Sequence, residues 1–220
     1  MTRVAGAKLL SALDPRGLAI YALDLVVVGI TYFGLANVSL TVASIHSSAI
    51  PLWAPAGLGF AAVLLRGIRV WPAIFAAAYA AGVPTDLVGA SAAGSIMMSL
   101  AVAAGATLAP VVGGYLINIW AHGRKTFDTP AGVTKFALVV LGATMIGATA
   151  GVAGLVFGGY LESADVIVSW STWWLRDAAG VLVVAPVIVL WALFPNNAST
   201  NEPSRPVVID GAAIWRLLAP

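Results

Sequence analysis

The chain has 220 residues, 60% of them hydrophobic and only 9% charged, with a formal net charge of +2. A soluble globular domain carries roughly 25% charged residues, so an ordinary aqueous fold is excluded and a bilayer is indicated. The lack of cysteine excludes disulfides and thiol chemistry, and His46 and His122 have no ligand spacing, so neither metal nor cofactor is expected.

Hydropathy predicts an all-α, polytopic integral membrane helical bundle of about six transmembrane helices, forming one domain over 1–220. Span one runs from about 17 to 42 and carries an acid, Asp24, less than two turns from its start. Span two, about 51–65, is short, so it is tilted, partly re-entrant or shielded by neighbours. Span three, about 70–83, opens on Trp71-Pro72, a proline suited to a first helical turn. Span four lies within 87–120, and Pro110 with Gly113-Gly114 predicts a kink. Its alanines and glycines let backbones approach closely, which places it centrally in the bundle. Span five, about 136–160, is again rich in glycine, and span six runs from about 172 to 194. The tail 195–220 reads as a cytoplasmic loop or the start of a further span.

Charge sets the orientation. Of the 11 Lys and Arg residues, all but Arg176 fall before span one, between spans two and three, between four and five, or after six. The opposite linkers, 43–50, 84–87 and 161–168, hold only acids: Asp86, Glu162 and Asp165. This positive-inside pattern predicts a multi-pass protein of a bacterial inner membrane with both termini cytoplasmic. It also supports the count of six, since one missed span would scramble the alternation.

With that orientation, polar and aromatic residues gather at the outer face: Trp53 and Pro55 at the start of span two, Asp86 in the second outer turn, and Trp173, Trp174, Arg176, Asp177 and Gly180 on span six. Ionisable side chains inside a membrane are costly and call for a role. Arg176 has two readings: a snorkelling residue paired with Asp86 or Glu162, or one wall of a small outward-open cavity. Residues adjacent on a helix point about 100° apart, so Arg176 and Asp177 are not expected to face one spot. Trp173, Asp177 and Gly180 share a face, with room beside the carboxylate. Asp24, toward the inner side, is either hydrogen-bonded to a neighbouring helix or a protonation switch. No phosphate loop, zinc motif or nucleophile elbow is present, so no catalytic residues are expected. The basic residues form no platform for nucleic acid.

Three segments carry a family resemblance: Trp53-Ala-Pro-Ala-Gly57, Gly67-Ile-Arg69-Val-Trp71-Pro72, and Trp173-Trp174-Leu-Arg-Asp177-Ala-Ala-Gly180-Val-Leu-Val-Val-Ala-Pro186. Together they resemble the first class of MASE domains, membrane-associated sensor modules of bacterial histidine kinases and cyclic-di-GMP enzymes. The third segment is the most specific, and the resemblance spans nearly the whole chain. It differs in having six spans where the family usually has about eight, and in lacking the asparagine and acid often found near Ala104–Pro110. It implies a sensory module that detects a periplasmic or membrane-embedded small-molecule or membrane signal. The module would relay that signal to a cytoplasmic output domain or partner, a kinase or cyclic-di-GMP enzyme, absent from this chain. A substrate-binding transporter subunit of the vitamin-importer type is the alternative. A scaffold that homodimerises through the small-residue faces of spans four and five is a third reading.

Overall fold

Short helices with crowded surroundings and long helices with bare apolar flanks divide the labour in this bundle. The computed structural model describes residues 15–45, 52–82 and 92–197. They form six α-helices: α1 (Pro15–Ile45), α2 (Ala54–Arg66), α3 (Trp71–Gly82), α4 (Ala92–Trp120), α5 (Pro130–Phe157) and α6 (Val166–Asn197). Short 3-10 turns precede α3, α5 and α6. The chain divides at Trp191 into two units, and of the second only the end of α6 is described.

Four helices, α1, α4, α5 and α6, are long and apolar enough to cross a membrane, whereas α2 and α3 are shorter apolar helices. The protein is therefore an all-α, multi-span membrane bundle. α2 explains its own brevity. Its buried residues include Pro55, Gly57 and the run Gly59 to Leu64, so neighbours rather than lipid cover it. Of the three expectations for span two, shielding is the one observed. On α1, by contrast, the buried residues form one stripe, Asp24, Val28, Tyr32, Ala36 and Ser39, spaced three or four apart as one helical face requires. The rest of α1 presents residues such as Leu23, Val27 and Ile30 outward.

Glycine makes the close contacts. α4 runs unbroken through Pro110. Gly113 and Gly114, expected to help kink it, instead make room for Phe60 and Val63 of α2. Gly105 of α4 meets Gly147 and Ala150 of α5, and Gly154 of α5 meets Ala101 and Met98. This is the small-residue packing expected for spans four and five.

Two helix starts differ from expectation. α5 begins at Pro130 rather than about 136, capped by the Thr129 hydroxyl, which accepts from the Gly132 amide. α6 begins at Val166 rather than about 172.

Candidate functional site

A cavity of about 530 Å³ opens among α1, α3, α4, α5, α6 and the segment leading into α2. Tyr32, Phe33, Asn37 and Leu40 supply the α1 wall, Met98, Val102 and Ala106 the α4 wall, and Trp173, Arg176 and Asp177 the α6 wall. Its volume lies within the roughly 300–1,000 Å³ typical of small-molecule sites.

Arg176 is held there by aromatic faces. Its guanidinium lies 4.8 Å from the Trp53 ring centroid and 4.5 Å from that of Trp173, so two indoles cover it. Such cation–π contacts strengthen when desolvated, and the Arg176 side chain is only 19% exposed. The guanidinium is thus enclosed by the two indoles rather than turned out from the protein. Its Nε stands 3.6 Å from Asp177 Oδ1, an ion pair slightly too long for a hydrogen bond. Both atoms are buried without a hydrogen-bond partner.

The two charges thus share one cavity, against the expectation from their 100° separation. That argument treated both side chains as short spokes. Arginine has a long stem, and the Trp53 and Trp173 faces hold its head back over the carboxylate.

The backbone around this pair is equally constrained. The Trp53 amide donates to the Arg176 carbonyl at 3.0 Å, tying the start of α2 to α6. A side-chain carbon on Gly180 would collide with the Trp53 carbonyl, and one on Gly57 would collide with the Gly180 carbonyl and Val184. The two glycines permit the approach that sets Trp53 over Arg176.

Pro55, Trp174 and Gly180 fall around the cavity rather than in it. Pro55 is buried at the start of α2. Gly180 belongs to the interhelical contact. Trp174 points to α5, where its indole N–H donates to the Leu141 carbonyl at 2.8 Å, and it stacks on Trp170. Asp86 and His46 lie outside the described residues. Conversely, Tyr32, Phe33, Asn37 and Met98 were not singled out from the sequence. Tyr32 is 2% exposed and lines the same cavity as Arg176 and Asp177. A lone tyrosine in an apolar span carries no signal of that kind.

A second charged cluster holds Asp24. Its carboxylate lies 3.4 Å from both Arg66 Nε and Arg69 Nη2, the two arginines that flank the α2–α3 turn. The Tyr21 hydroxyl donates to the Arg69 carbonyl at 3.1 Å. Asp24 is buried while both arginines are more than half exposed. Among the described residues no cluster of histidine, aspartate or glutamate could hold a metal ion.

The arginine–aspartate pair in a largely apolar cavity is the candidate site of this membrane bundle. The MASE1 family model matches residues 24–214, most of the chain, and the chain belongs to that family. It is accordingly a membrane-embedded, non-catalytic sensory domain of the kind that typically couples to histidine kinase or cyclic-di-GMP output domains. No curated protein and no solved structure matches it.

Proposed function

We propose that the cavity is the signal-binding site of a six-crossing sensor, open toward the outer side of a bacterial inner membrane, with both termini in the cytoplasm. A signal from the periplasm or the bilayer would enter between α1 and α6. It would bias the packing of these helices and so the state of a cytoplasmic output, a kinase or cyclic-di-GMP enzyme. The ligand needs only to prefer one of two packings for this to work.

The observation that carries the reading is the unsaturated Arg176–Asp177 pair, buried between two indoles at the cavity wall. Buried ionisable groups inside a membrane are retained for function more often than for stability. Its position supports the orientation. The cavity residues come from the second half of α1, the end of α3, the start of α4 and the approach to α2, all next to linkers that carry no lysine or arginine.

The test is a fusion of the chain to a diguanylate cyclase reporter in cells, with output read across growth conditions. Asp177→Asn is expected to lose the condition-dependent response while its membrane level stays at that of the wild type. An unchanged response would remove the cavity from signalling.

A further inference from the structure

The charges in the cavity restrict what can fill it. Arg176 and Asp177 stand 3.6 Å apart and cancel. No other formally charged side chain lines the cavity among the described residues. A carboxylate brought to Arg176 would lie beside Asp177, and an ammonium brought to Asp177 would lie beside Arg176. Either would bury an uncompensated charge in a low-dielectric site, which is strongly unfavourable.

The same pair has hydrogen-bonding capacity to spare. Arg176 Nε and Asp177 Oδ1 are enclosed and unbonded, while both side chains, 19% and 12% exposed, present their remaining polar edge to the cavity. Trp53 and Trp173 cover the guanidinium, which can donate only through its edge. The carboxylate can only accept. One donor edge beside one acceptor is complemented by a head group that carries an acceptor and a donor together. The remaining wall, Phe33, Leu40, Met98, Val102 and alanines, suits an apolar body.

We infer that the cavity takes a net-neutral amphiphile, with an uncharged head presenting both a hydrogen-bond acceptor and a donor, as a primary amide does, on an apolar body. The inference rests on the reading of the cavity as the signal site and goes further by fixing the charge and hydrogen-bonding class of the ligand.

Three probes of equal length separate the alternatives: hexanamide, hexanoate and hexylammonium. Each is titrated at neutral pH against the purified full chain in lipid nanodiscs, with the thermal unfolding midpoint as the readout. Ligand that binds only the folded state raises the midpoint saturably. Hexanamide is expected to bind at least tenfold more tightly than either ion. In Asp177→Asn the cavity keeps a net positive charge, and the ranking turns to hexanoate. In Arg176→Gln it turns to hexylammonium. A merely structural pair would not reverse selectivity in this way.

Should either variant fail to fold, the wild-type ranking alone decides. If hexanoate or hexylammonium binds the wild type most tightly, the neutral-head inference is overturned while the signal cavity stands. If no probe shifts the midpoint, or the shifts survive Ala80→Trp at the exposed rim of the cavity, both the inference and the proposed function fail.

Discussion

Two glycines do more to build the site than any of its polar residues. Gly57 and Gly180 each face backbone of the other's segment at a distance that admits no side chain. Their contact lets the Trp53 amide reach the Arg176 carbonyl. Overpacking a tight contact typically costs 1–3 kcal/mol, and here the obstructing atoms are backbone, which cannot rotate away. Gly180→Ala is expected to destabilise the protein by about 3 kcal/mol. Gly142, with no atom within 4 Å of its missing side chain, should tolerate alanine within about 0.5 kcal/mol. Unfolding by SDS titration in mixed micelles checks both, and equal effects would remove the contact as the cause. The sequence exposed this only in part. It gathered Trp53, Trp173, Trp174, Arg176, Asp177 and Gly180 at one face and set Trp173 beside Asp177 and Gly180, but it gave no contact partner for Trp173 or Trp174. Only tertiary packing sends the first to the cavity and the second to the Leu141 carbonyl.

At the scale of elements, α1 joins two charged clusters. Asp24 and Tyr32 lie on the same buried stripe, eight residues or about 12 Å apart. One end is latched to the α2–α3 turn through Arg66 and Arg69, and the other forms a cavity wall. The latch is asymmetric in burial, and so in the cost of breaking it. Asp24→Asn leaves two arginines that are more than half exposed and free to hydrate, so about 1 kcal/mol is expected to be lost. Arg66→Gln with Arg69→Gln leaves a buried carboxylate without compensation, and about 3 kcal/mol is expected to be lost. The same SDS titration orders the two variants, and the reverse order would show that the arginines, not Asp24, set the stability of the turn. Asp24 as a residue bonded to a neighbouring element was legible in the sequence. Its partners were not, because Arg66 and Arg69 also had a sufficient explanation as inner-side topology signals.

For the whole molecule, the lengths of the helices bear on how many times it crosses. α2 and α3, with 13 and 12 residues, reach only about 20 and 18 Å, short of a hydrocarbon core of about 30 Å. Taken alone they read as a re-entrant hairpin. α1, with 31 residues, is about 46 Å long, some 16 Å more than the core needs. Asp24 stands nine residues after Pro15, about 14 Å along it. The surplus therefore fits an Asp24 close to the inner boundary of the hydrocarbon, with the arginines of the α2–α3 turn within reach of head groups. α2, buried along most of its length, does not need to match the bilayer. The proposed six crossings would then include two short ones. Because the chain contains no cysteine, single introduced thiols report position without a background. Ala164→Cys, on the proposed outer side, is expected to react with a membrane-impermeant maleimide in intact cells. Ile68→Cys and Lys125→Cys should react only in inverted membrane vesicles. Labelling of Lys125→Cys but not Ile68→Cys in those vesicles would mean that the α2–α3 turn stops inside the protein. The molecule would then be a four-crossing bundle around a buried hairpin, still with both termini on one side, and the latch at Asp24 would be a core contact rather than an interfacial one.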